Sequence, residues 1–401
     1  MLSDNYSRSL MYSVVMNNTR IDHRCLEELM ERKEIESYKD LYDFIAGGKS
    51  IEHISDINSL KIKEARLSVA VLNEQYRRYE RILMSEGIKV ISTESDYYPA
   101  IWSGLSGMPN VLFLRGDPQV LKDIDRNGSV SIVGSRDPGR YSCYATAEFT
   151  SKLAGKGVVI TSGMAVGIDR VAHETAVDSG GKTLAVMPCG CEQIYPLQNE
   201  DIFMKIIKGG GAVISELPPM SGVRKQYFPA RNRLISALSD CCLIMEAGEH
   251  SGTLHTASFA AAQGRDVYVL PNNIYADNCL GGLKLINDGA SILLDENDII
   301  DSVAERLLYR KADMIPAYDS KERKMRLTEI RKKVDKAPEE ICTDEISDLI
   351  IDELSIKDMS ADMLCTRIKL PFYRVSEALS ALELDGKAVL QKGKYTLVKT
   401  H

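Results

Sequence analysis

With 401 residues, 44% hydrophobic and 27% charged, the chain is long enough to bury two or three separate cores. A net charge of -7 excludes a protein that coats itself in nucleic acid by bulk charge, so any such binding must come from a local patch. No run approaches the roughly 18 consecutive apolar residues of a membrane helix, and the polar start MLSDNYSRSL lacks the plan of a signal peptide. The nine cysteines are scattered with no C-x-x-C pair, which indicates neither a zinc knuckle nor a disulfide framework. The expectation is a protein of the reducing cytoplasm, with no membrane contact, metal or cofactor.

In chain order, residues 1–85 read as an all-helical module, with apolar residues at helical spacing in CLEELMERKEIESYKDLYDFI and again in INSLKIKEARLSVAVLNEQYRRYERILMSEG. The pattern then changes to short apolar runs: SVSIV (129–133), VVIT (158–161), TLAVM (183–187), AVIS (212–215), CLIM (242–245) and VYVL (267–270). Strands apolar at every position belong to a parallel sheet covered on both faces. Helix-like segments such as YATAEFTSKLAGKG, GIDRVAHETAVDSG and RNRLISALSD alternate with them. That alternation predicts right-handed βαβ units and a doubly wound, mostly parallel α/β domain over 86–300.

Residues 301–340 read as a charged linker, in which 321–336 carries eight Lys or Arg against three acids. A solvated face is the favoured reading of such a run. Beyond it, 341–401 reads as helix, short helix, helix and two strands. That order predicts a winged helix, with Phe372 to Leu384 as its third helix and the Gly393 turn as its wing.

In an open α/β sheet, ligands bind beyond the carboxyl ends of the strands. The loops there carry Gly134-Ser135-Arg136 and Ser162-Gly163-Met164, whose small residues let a phosphate approach the backbone near helix N-termini. Arg136 is placed to grip a phosphate. The stretch from Lys225 through Phe228 to Arg231, Asn232 and Arg233 combines cations, aromatic faces and an amide at a helix start. Aromatic stacking plus cationic phosphate contacts is how single strands are held without reading sequence. Against it stands a structural alternative, with Phe228 in the core and Arg231 or Arg233 paired with an acid such as Glu216.

Enzyme motifs fit poorly. Gly134 to Gly139 is not G-x-G-x-x-G, and Gly181-Lys182-Thr183 precedes a strand where a P-loop would follow one. His173-Glu174 has Val177 where a zinc helix needs a second His. His173 therefore reads as a helix residue bonded to a neighbouring loop, and Asp169 as a helix cap. Glu246 is the best remaining carboxylate, and no nucleophile with a partnered base can be assembled around it.

The strings IVGSR, TSGMAVGIDRVAHETA, KTLAVMPCGCEQIYPLQN, GAVISELPP, YFPARNRLISALSD and EAGEHSGTLHTASFAAAQGRDVYVLP, in this order, resemble the DNA-processing protein A family (DprA, also called Smf) over about half the chain. The resemblance implies a Rossmann-like core that binds single-stranded DNA in a basic pocket, forms a homodimer and loads RecA recombinase during natural transformation. It implies a site at Gly134, Ser135, Arg136, Ser162, Gly163, Met164, Lys225, Phe228, Arg231, Asn232 and Arg233. Gly139, Ser142, Asn272 and Leu283 depart from the family's usual residues at loops around that pocket. The alternative is a nucleotide-acting enzyme of phosphoribohydrolase type, whose glycine-rich loop the stretch Glu246 to Thr253 resembles loosely.

Overall fold

The computed structural model describes residues 4–48, 54–276, 278–314, 341–356, 359–385, 387–391 and 394–397. Most of the basic run 321–336's surroundings, the run itself and the Gly393 turn lie outside the described residues. The chain divides into two compact units, Met1–Leu308 and Tyr309–His401.

The first unit opens with helices α1 (Asp4–Asn18), α2 (His23–Glu31), α3 (Leu41–Ala46), α4 (Asp56–Leu67) and α5 (Val69–Ser85). Strands and helices then alternate: β1 (Ile88–Ser92), β2 (Val111–Gly116), α6 (Gln119–Asn127), β3 (Ser129–Gly134), α7 (Arg140–Gly155), β4 (Val159–Ser162), α8 (Ile168–Asp178) and β5 (Thr183–Val186). They continue through α9 (Glu200–Lys208), β6 (Ala212–Ser215), α10 (Tyr227–Ala237), β7 (Cys241–Glu246), α11 (Thr253–Ala262), β8 (Asp266–Val269), α12 (Leu280–Asn287), β9 (Ser291–Ile292) and α13 (Glu296–Met314).

Among the described residues the sheet has nine strands in the order β1-β2-β6-β5-β4-β3-β7-β8-β9. The seven from β6 to β9 run parallel, and β1 and β2 close one edge antiparallel. Side chains alternate across a strand, and here both faces are apolar. Val130 and Ile132 join Leu243 and Met245 in the core under α7 and α8. Val133, Cys242 and Ile244 face the opposite core with Leu234 and Ile235 of α10. This two-sided burial is why the strands read as continuous apolar runs, and the fold is the doubly wound α/β sheet expected of them.

Helices α1 to α5 build a further core around Leu10, Phe44, Ile62 and Leu72, which takes in Ile88, Val111 and Phe113 of β1 and β2. Phe113 faces this core while its neighbours Leu112 and Leu114 face the central one. Both faces of the antiparallel pair are thereby buried.

The second unit holds α14 (Thr343–Ile356), α15 (Ala361–Ile368), α16 (Phe372–Leu384) and an antiparallel hairpin, β10 (Ala388–Gln391) with β11 (Lys394–Leu397). Ser360 caps α15 by accepting from the Met363 amide, Lys369 ends it with a left-handed φ of 62, and Pro371 precedes α16. Ile346, Leu364, Val375 and Leu379 form its core. Three helices followed by a hairpin make a winged helix, and its third helix has the bounds predicted from sequence. Among the described residues no helix is long and apolar enough to cross a membrane.

Candidate functional site

Strand order reverses beside β3: β4, β5 and β6 step away on one side, β7, β8 and β9 on the other. Connections from the two sides leave over opposite faces of the sheet, so a crevice opens at the carboxyl ends of β3 and β7. A cleft of about 690 Å³ lies there, walled by the Gly134-Ser135-Arg136 turn, by α10 and by the loop leading from β7 into α11. A second cleft of about 510 Å³ adjoins it on the side of β4 and β5. The two share Arg136, Ala165, Phe228 and Arg231 in their walls.

Arg136 is exposed, and its guanidinium lies 5.6 Å from the centroid of the Phe228 ring. Phe228, half-buried, meets Tyr195 edge to face at 6.0 Å on the same side of the site. A guanidinium over an aromatic face is favourable and leaves N–H groups in its own plane able to meet an anion. The first turn of α11 opens onto the same cleft through Gly252, Thr253 and Thr256, adding the positive end of a helix dipole.

Arg231 is buried beneath this layer, 6% exposed. Its Nη1 donates to the carbonyls of Gly163 and Val186, at the ends of β4 and β5, and its Nε donates to Asn232 Oδ1 at 3.1 Å. A Cβ at residue 163 would collide with that guanidinium, so glycine is what lets the arginine in. Burial lowers the Arg231 pKa to about 10; buried Asp169 opposes the shift and Arg136 adds to it. Asp169, pushed upward by burial and held down by Arg231, accepts from the amides of Gly163 at 3.2 Å and Ala165 at 3.3 Å. Asp169 therefore ties the preceding loop to the first turn of α8, where the sequence suggested a simple cap; Gly167 occupies the capping position.

The remaining predicted site residues divide by location. Ser162 is buried and donates to the Ile132 carbonyl at 2.6 Å, joining β4 to β3. Met164 lines the second cleft, and its carbonyl accepts from Asn199 at 2.8 Å. Asn232 lines the first cleft. Lys225 is exposed before α10 and is not among the residues lining either cleft. Arg233 faces away and pairs with the Glu216 carboxylate, whose pKa burial raises and Arg233 lowers. The structural alternative for Arg233 is thus what the geometry realises.

Several hydroxyls and carboxylates near the cleft bond to the framework. Thr253 Oγ1 donates to the Gly134 carbonyl at 3.1 Å, and Ser135 Oγ accepts from the Asp137 amide at 3.1 Å. Glu246 accepts from the Gly139 amide at 2.9 Å, at the start of α7. His173 is fully buried with Nδ1 2.7 Å from Thr183 Oγ1, and burial, then Arg231, lowers its pKa to about 3. Among the described residues no group of His, Cys, Asp and Glu is arranged to hold a metal ion.

Residues 89–304 match the family described as DNA recombination-mediator protein A. The chain belongs to that family. Residues 334–394 match the DprA winged helix domain. The DNA processing protein DprA of Bacillus subtilis (strain 168) is 33% identical over 249 residues, covering 61% of this chain and 82% of that protein. Protein Smf of Synechocystis is 37% identical over 210 residues, 52% of each chain, so only about half of that relative is spanned. The X-ray structure of DNA processing protein A from Streptococcus pneumoniae is similar at a TM-score of 0.57 and 28% identity, over 73% of this chain and 97% of that one.

In this DNA recombination-mediator protein A family member, several wall residues escaped the sequence reading. His250, His255 and Asn278 line the first cleft, and Tyr195 and Leu197 the second. Tyr195 carried a readable signal: an aromatic residue before proline in the loop after an apolar strand. Asn278 also follows an apolar strand, β8, but lies eight residues beyond the end of its run, with no aromatic or cation beside it to mark it.

Proposed function

We propose that the chain binds single-stranded DNA in the cleft at the switch point without reading its sequence, acting as a binding protein and not as a catalyst. Arg136 holds a phosphate and Phe228 presents a stacking face, with Lys225 as an outlying phosphate contact. Arg231, Asn232, Gly163 and Ser162 hold the wall that positions them. In the role implied by its family, the chain works as a homodimer in the cytoplasm and passes DNA to RecA recombinase during DNA uptake. The observation that carries the reading is the exposed guanidinium of Arg136 over the Phe228 ring in the wall of the crevice.

The test is fluorescence anisotropy of labelled oligo-dT and a matched duplex at low and high salt. Tight, salt-sensitive binding that prefers the single strand is expected, because phosphate contacts release counterions. Arg136→Ala and Phe228→Ala should each weaken it about tenfold or more. Undiminished binding by both variants would sink the site assignment.

A further inference from the structure

The solvent face of α7 is unusual for a surface helix. Its inner face buries Ala145, Thr146, Leu153 and Ala154, while Tyr141 and Tyr144, three residues apart and so on one face, stand 51% and 71% exposed. Arg140, beside them, is exposed as well. The loop after β8, which bonds to α7 at Ser142, presents Tyr275 at 87% exposure next to Ile274 at 61%.

This turn is anchored on both sides. Asn273 closes it, its side chain accepting from the Tyr275 amide at 2.9 Å and its carbonyl from the Ala276 amide at 3.0 Å. Asn272 Nδ2 donates to Ser142 Oγ at 3.4 Å, next to Tyr141 in the chain. Asn278 Nδ2 donates to the Asp137 carbonyl at 3.4 Å, and Asn278 also lines the first cleft. The loop that carries Tyr275 and the start of α7 that carries Tyr141 are therefore both tied to the cleft rim, through Asn278 and the short segment that joins Arg136 to Arg140.

We propose that Tyr141, Tyr144 and Tyr275 form a second stacking surface, over which a single strand runs as it leaves the cleft. The proposal rests on the reading of the cleft as a single-stranded DNA site. Exposed tyrosine rings beside arginines suit nucleobases and phosphates, since every base offers a π-face and the strand carries the complementary charge. Tyrosine and arginine are also favoured at protein interfaces, so a second copy of the chain is the competing occupant that the experiment must separate.

The full-length protein is titrated into labelled oligo-dT of about 4 and about 16 nucleotides, the span of common single-strand site sizes. Substituting Tyr141→Ala, Tyr144→Ala and Tyr275→Ala together should leave the short oligonucleotide's affinity and the salt dependence unchanged and weaken the long one about tenfold or more. In a separate variant, Tyr144→Trp should show fluorescence quenched by the long oligonucleotide; the native tryptophan, Trp102, is buried. Unchanged long-oligonucleotide binding in the triple variant, with binding lost in Arg136→Ala, overturns the second surface and leaves the cleft standing. If the wild type binds neither oligonucleotide, the cleft reading fails first and this proposal falls with it. A triple variant whose sedimentation shifts to a smaller species while its affinity per protomer is kept assigns the face to a second copy and also overturns the proposal.

Discussion

Arg136, Arg231 and Arg233 sit in similar basic stretches of sequence and meet three different fates. Arg136 was legible because it directly follows an apolar strand, where the backbone must turn outward to the crevice. Arg231 and Arg233 are two residues apart on α10, about 200° around a helix, so one enters the ends of β4 and β5 while the other reaches Glu216. Replacing Arg231 by Met should cost about 3–5 kcal/mol, because it leaves Asp169 buried without its countercharge and two carbonyls without a donor. Arg136→Ala should stay within about 0.5 kcal/mol of wild type, as for an ordinary exposed position. Urea denaturation of the two variants separates these outcomes. His173 makes stability pH-dependent with a definite sign. Below its ordinary value near 6.5 the unfolded chain takes up a proton that the folded chain refuses until about pH 3, so stability falls as pH drops through that window. The loss from this residue is on the order of 5 kcal/mol in full. His173→Gln should flatten that part of the profile when denaturation midpoints are compared between pH 7 and pH 4.

Elements were legible where burial is two-sided. The runs at 129–133 and 242–245 appear as β3 and β7 because alternate residues feed two apolar cores. The loops between elements were less legible, because their geometry is set by what they pass. Gly167 illustrates this: its φ is +81, and a Cβ there would collide with the Ser135 carbonyl, the group that accepts from the Ile168 amide at 3.1 Å. Gly167→Ala should destabilise the chain by about 1–3 kcal/mol. It should also weaken single-strand binding by shifting the Ser135-Arg136 turn. Paired melting and anisotropy measurements would show both effects; a stable variant with a displaced binding curve would still locate the fault in the turn, whereas wild-type behaviour in both would refute the argument.

At the scale of the whole molecule, the cleft draws on β3, β4, α10, α11 and the loop after β8, all within the first compact unit. A chain ending after Met314 should therefore bind oligo-dT with the affinity of the full chain, measured by the same anisotropy titration. Loss of binding would bring the winged helix into the proposed mechanism. The winged helix itself carries few cations on α16, where Arg374 donates to the Ile341 carbonyl, so its face is poorly suited to reading duplex DNA alone. The proposed division into 1–85, 86–300, 301–340 and 341–401 follows changes of sequence pattern; spatially, the N-terminal helices share a core with β1 and β2. Sequence alone determined the six apolar strands of the parallel sheet and the residues that flank their ends, because hydrophobic periodicity and strand-to-helix turns are local properties; β1, β2 and β9 lie outside those runs. Tertiary structure alone decided that Arg231 is a buried strut, that Arg233 is spent on Glu216, and that Tyr195 and Asn278 reach the clefts, because strand order and helix rotation bring together residues that no local pattern connects.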